Sequence, residues 1–98
     1  MFIVKTLPEF DAWLNKIKDR ITVMRLKTRL RKAALGNLGD SKPVGGGVFE
    51  MREHFGPGWR MYYIKHGAIV IIMLGGGDKS TQSTDIAAAI KLAAQLEE

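Results

Sequence analysis

The stretch Val44–Gln82, VGGGVFEMREHFGPGWRMYYIKHGAIVIIMLGGGDKSTQ, limits the possible folds more than any other part of the chain. Apolar runs punctuated by charged residues predict three strands, roughly Val48–His54, Trp59–Lys65 and Ala68–Leu74. Phe55-Gly56-Pro57-Gly58 breaks the first from the second, and Lys65-His66-Gly67 turns the second into the third. So short a connection means an antiparallel hairpin. Glycines bracket the whole stretch, Gly45–Gly47 in front and Gly75–Gly77 behind.

Side chains alternate across a strand, so the spacing sorts them by face. Glu50, Arg52 and His54 share one side of the first strand, opposite Phe49, Met51 and Glu53. Arg60, Tyr62 and Ile64 share one side of the second, opposite Trp59, Met61 and Tyr63. If the apolar sets face the core, Glu50, Arg52, His54, Arg60 and Tyr62 gather on an open sheet face, with Lys79 at its rim. Ala68–Leu74 is apolar on both sides, as a central strand would be.

Upstream, Phe2–Lys5 predicts a strand ended by Leu7-Pro8, with Thr6 as the N-cap of a helix and Pro8 in its first turn. Phe10, Trp13, Leu14 and Ile17 form a helical stripe, which makes Trp13 a core residue. Asp19 caps a second helix with Val23, Leu26, Leu30 and Ala33 or Ala34 inward, ended by Leu35-Gly36-Asn37. The short link predicts an antiparallel helical hairpin. Gly36–Gly47 reads as a glycine-rich connector. Ser80 starts a last helix running to about Leu96. The expected class is α+β in the order β-α-α-β-β-β-α: a small, mainly antiparallel sheet, an N-terminal helical hairpin and a C-terminal helix, with the helices on one sheet face.

Ninety-eight residues suffice for one domain, expected to span 1–98. No apolar run reaches the roughly 18–20 residues of a membrane span, and the first residues do not resemble a secretory signal, so a cytoplasmic protein is expected. The chain has no cysteine, which excludes disulfides and thiol nucleophiles, and its two histidines have no zinc-site spacing. The net charge of +5 is unevenly placed. Arg20, Arg25, Lys27, Arg29, Arg31 and Lys32 crowd one segment free of acids, whereas Ser80–Glu98 balances one lysine against Asp85, Glu97 and Glu98. A polyanionic partner and an ordinary solvated helix face both fit that pattern.

The sheet-face residues are those suited to holding a phosphodiester and moving protons around it. Arg52 and Arg60 offer bidentate bonds and stabilise developing negative charge; cross-strand pairing with Glu50 or Glu53 is the plainer alternative. Lys79 lies between a glycine run and a helix start, where backbone N–H groups also favour an anion. His54 suits a general acid or base. Tyr62 suits stacking or proton donation but is also a common strand residue. Glu50 is read as an arginine partner, and His66 as a solvated turn residue. Gly77-Asp78-Lys79-Ser80 lacks the residue order of a phosphate loop.

The blocks LGNLGDSKPVGGGVFEMRE, GPGWRMYY and GGGDKSTQ resemble the addiction-module killer branch of the RelE/ParE toxin superfamily, phage-derived Gp49-like and HigB-like. The likeness covers nearly the whole chain. It implies a toxin that cuts messenger RNA on the ribosome without metal or cofactor, and a cognate antitoxin partner, often a small helix-turn-helix DNA-binding protein. Arg60 matches the arginine of the family's GYR strand, with Trp59 in place of the aromatic. Arg52 closes the E-L-R triplet, with Met51 in place of leucine, and Lys79 matches the basic residue after the last strand. The tyrosine or histidine that many ribonuclease members carry near the last helix is missing from Ser80–Glu98, so Tyr62 or His54 would have to serve. Arg25, Lys27, Arg29, Arg31 and Lys32 are then candidates for contacts to RNA and ribosome. A non-hydrolytic DNA gyrase inhibitor of the same superfamily and a noncatalytic nucleic-acid-binding module are the rival readings. Arg60→Ala is expected to remove toxicity and spare the fold.

Overall fold

The structure is a computed structural model that describes residues 1–96. Glu97 and Glu98, part of the acidic C-terminal charge noted above, lie outside the described residues. The elements are β1 (Ile3–Thr6), α1 (Pro8–Lys16), α2 (Arg20–Ala34), β2 (Ser41–Gly45), β3 (Val48–Arg52), β4 (Trp59–His66), β5 (Val70–Asp78), a single 3-10 turn (Lys79–Thr81) and α3 (Gln82–Gln95). The five strands form one sheet in the order β1-β5-β4-β3-β2, antiparallel except that β1 runs parallel to β5. The α+β class and helix placement along the chain are as expected. Among the described residues, no helix is long and apolar enough to cross a membrane.

Two expectations are corrected by the sheet itself. The connector Gly36–Gly47 contains β2, which pairs with β3 despite Pro43 because β2 is an edge strand and loses no inner hydrogen bond there. The glycine triplet Gly75–Gly77 does not end the last strand; β5 continues through it to Asp78. Close approach explains both inner glycines. A Cβ on Gly76 would lie 2.5 Å from the Trp13 ring, and one on Gly77 would meet the Asp85 carboxylate.

Caps also differ from the sequence reading. Leu7, not Thr6, precedes α1, with Pro8 opening the helix. Asp19 occupies the N-cap position of α2, but its carboxylate accepts from the Thr22 hydroxyl at 2.7 Å and not from a helix N–H. Asp78 rather than Ser80 starts the C-terminal helical segment: its carboxylate accepts from the Ser80 N–H at 2.8 Å. The Ser80 hydroxyl, and then that N–H, hold the Asp78 carboxyl below the usual range.

Helices cover both faces of the sheet, not one. On one face α1 and α2 bury Phe10, Leu14, Leu26 and Ala33 against Met51, Met61, Tyr63, Ile71 and Met73. On the other, Ala89 and Ala93 of α3 pack on Val48, Tyr62 and Leu74, with Ile64, Ile72, Ile86 and Ile90 around them. Small residues let α3 lie close to the sheet, while each fully buried large side chain such as Phe10 contributes about 1.5–3 kcal/mol. The strand alternation was read correctly; the face it called open is roofed. β5 is interior as expected, flanked by β1 and β4.

Trp13 sits edge-on to Trp59 at 6.2 Å and fills the space left by the absent side chain of Gly76. Gly76→Ala should therefore destabilise the protein by about 1–3 kcal/mol through overpacking. A urea-unfolding midpoint equal to that of the parent would show that Trp13 does not need that space.

Candidate nucleic-acid interface

Strand pairing arranges the α3-side residues in rows across the sheet. Val48, Ile64 and Ile72 form an apolar row; Glu50, Tyr62 and Gly75 a polar one; Arg52, Arg60 and Gly77 a cationic one at the sheet end. Arg52 and Arg60 are thus direct cross-strand neighbours. Lys79 follows two residues beyond Gly77. A Cβ on Gly58 would touch both the Lys79 side chain (3.4 Å) and Arg60 Nη1 (3.6 Å), so a single small gap separates each from the same point. Arg52 and Arg60 therefore stand side by side at one sheet end, and the stem of Lys79 passes close to the Arg60 guanidinium.

Their exposure differs. The Arg60 side chain is only 7 % exposed, with Nε 3.9 Å from the fully buried Glu50 carboxylate and Nη1 donating to the Trp59 carbonyl at 3.2 Å. Glu50 also accepts from Tyr62 Oη at 3.2 Å and from Gln82 Nε2 at 2.8 Å, which ties the start of α3 to β3. Glu50 is the arginine partner the sequence suggested. Tyr62 is fully buried beneath α3, so it has no surface on which a base could stack. Burial, and then the neighbouring Glu50 carboxylate, push its phenol pKa well above the ordinary value. It serves as a neutral donor holding Glu50.

At the rim the structure adds a residue that sequence reasoning passed over. The Asp40 carboxylate accepts from Arg52 Nη2 at 3.0 Å and lies 2.6 Å from His54 Nε2. Bonds from His54, and then from Arg52, hold the Asp40 carboxyl below its usual range. His54 is 69 % and Arg52 30 % exposed at the side chain, so both reach solvent while Asp40 fixes where they sit. Asp40 was legible as the only acid between Asp19 and Glu50.

Arg29 is not part of the solvent-facing basic surface. It is buried, donates to the carbonyls of Leu38 (3.0 Å), Asp40 (3.0 Å) and Arg52 (2.9 Å), and is paired with Glu53. Arg25, Lys27, Arg31 and Lys32 remain exposed on α2, with Arg25 4.3 Å over the Phe55 ring. Among the described residues no group of three or more His, Cys, Asp and Glu side chains is placed to hold a metal ion.

Sheet, flanking helices and the row of paired arginines define a small α+β protein with a cluster of charged side chains at one sheet end. Residues 8–98 match the model of the phage-derived protein Gp49-like family (DUF891), and the chain belongs to that family. It is also 41 % identical over 93 residues to an uncharacterized protein of Haemophilus influenzae, covering 95 % of this chain and 94 % of that one.

Two outcomes are expected. Arg29→Ala leaves Glu53 without its cation and should cost about 3–5 kcal/mol in equilibrium unfolding. Asp40 has a folded pKa below its unfolded value, so its contribution is present above the unfolded value and lost as pH falls through the folded one. The stability difference between the parent and Asp40→Asn should accordingly be visible at pH 6 and shrink below about pH 4; a difference that persists unchanged at pH 2 would contradict it.

Proposed function

We propose that this protein is the toxin of a toxin–antitoxin pair, a RelE/HigB-like endoribonuclease that cuts messenger RNA on the ribosome and stops translation. The observation that supports this most is the pairing of Arg52 and Arg60 across one sheet end, with the Lys79 stem next to Arg60 and a histidine held by the carboxylate that also binds Arg52. A phosphodiester needs cations placed where negative charge develops and a group that exchanges protons near neutral pH.

In this reading Arg52 and Lys79 hold the scissile phosphate. Arg60, buried behind them, adds charge and anchors the end of β4 through Glu50. With Nε2 bonded to Asp40, the other imidazole nitrogen of His54 removes the proton from the ribose 2′-hydroxyl. The 2′-oxygen then attacks phosphorus, the bond to the 5′-oxygen breaks, and that oxygen takes up a proton, leaving a 2′,3′-cyclic phosphate. The step requires no metal or cofactor. Tyr62 keeps its proton and orients Glu50, so proton transfer falls to His54. Arg25, Lys27, Arg31 and Lys32 add long-range attraction for ribosomal RNA, and Arg29 holds the frame they stand on. The protein works in the cytoplasm as one domain and is neutralised by a cognate antitoxin, a small DNA-binding protein.

Cell-free translation of a defined message tests this. Position-specific cuts are expected, and Arg52→Ala, Lys79→Ala and His54→Ala should each slow cleavage by on the order of 100-fold while circular dichroism stays native. Arg60→Ala is the poorer probe, because it strands Glu50 inside the protein and should lower stability as well as activity. An intact message together with stalled gyrase complexes on DNA would assign the chain to the gyrase-inhibiting branch; RNA retained but uncut would make it a binding module.

A further inference from the structure

The outward face of α2 carries exposed apolar residues that the nuclease reading does not use, although that reading draws on the cations beside them. Ile21, Met24 and Thr28 follow the a–d spacing of a heptad, three and four residues apart, with Arg31 at the next d position and Leu35 just past the helix end. Ile21, Met24 and Leu35 are 68 %, 65 % and 73 % exposed. Isolated exposed aliphatics are ordinary, but Ile21 and Met24 stand one turn apart and Met24 lines two grooves, the form that a second helix covers. Grooves run on both sides of Met24, about 400 Å³ toward Arg25 and Lys32 and about 270 Å³ toward Arg20 and Lys27.

The flanks of the seam name the chemistry of the occupant. The positions that border a heptad seam, e and g, hold Arg20, Arg25, Lys27 and Lys32, all basic, and α2 contains no acid. Among the described residues Glu53 is the one carboxylate lining either groove, and it is paired with Arg29. A second copy of α2, parallel or antiparallel, would set cation against cation. RNA would satisfy the cations and leave Ile21 and Met24 facing water.

We propose that this face is a docking site for an amphipathic helix of a partner protein, with aliphatic residues at its a and d positions and Asp or Glu beside them. Aliphatic side chains of that helix enter the grooves around Met24, and its carboxylates pair with the four flanking cations. The site lies on α2, apart from the Arg52–Lys79 cluster, and the inference does not depend on the nuclease reading.

The test titrates the isotope-labelled full chain with a synthetic helical peptide of about three heptads, with Leu at a and d and Glu at e and g. Saturable NMR shifts at Ile21, Met24, Thr28 and their flanking cations are expected. Met24→Asp and Arg25→Glu should each weaken binding at least about tenfold. Circular dichroism checks that the variants are folded. No saturable shift up to millimolar peptide, or shifts centred elsewhere, would overturn the proposal. So would equal binding of a peptide with Ser at a and d, or tighter occupation of these residues by a short single-stranded RNA. The titration involves no cleavage, so its failure and failure of the nuclease reading are separate results.

Discussion

Arg29 donates from inside the protein to three backbone carbonyls and pairs with Glu53, joining α2, the Leu38–Asp40 loop and the end of β3 at one point. Guanidinium suits that task because its planar fork serves several acceptors at once and keeps its charge when desolvated. Held there, Asp40 stands where it meets both Arg52 and His54. The placement of the surface cations thus descends from a residue that never reaches the surface. Close packing reinforces the arrangement: a Cβ on Gly39 would lie 2.7 Å from Arg29 Nη2, so the loop can fold over the guanidinium only with glycine at that position.

The second constraint is Glu50, a carboxylate with no solvent exposure. Buried charge is tolerated when it is paired and hydrogen-bonded, and Arg60, Tyr62 and Gln82 divide that duty. Gln82 comes from α3, so the polar row also fixes where the last helix begins. On the α3 side the apolar row of Val48, Ile64 and Ile72 borders the polar row, and Arg52 and Arg60 stand beyond it at the sheet end.

Much of the molecule was legible in the chain because periodicity is a strong signal. Alternation sorted Phe49–Arg52 of β3 and Trp59–Ile64 of β4 by side, and the helical stripes found the core of α1 and α2. What escaped has physical causes. β2 was hidden because its Pro43 and flanking glycines are turn formers, and only an edge position lets them stand in a strand. Gly75–Gly77 read as a break because glycine usually marks one; here two of them admit Trp13 and Asp85. The roof of α3 was foreshadowed by Val48, Ile64 and Ile72, apolar residues on the side taken to be open. The burial of Arg29 and Tyr62 left no such trace, since a basic helix and a strand tyrosine look alike whether inward or outward. Asp40 lay in a loop whose course depends on Arg29, a long-range contact that spacing does not encode.

The outer strand β2 bears on how the protein behaves when it is abundant. It is five residues long, has a bulge between Pro43 and Gly45, and carries Lys42 and a proline that offers no N–H. Proline, lysine and an irregular ladder deprive a further strand of a regular template. A chain made in excess should therefore resist sheet-to-sheet accretion along this border and remain dispersed long enough to meet its targets.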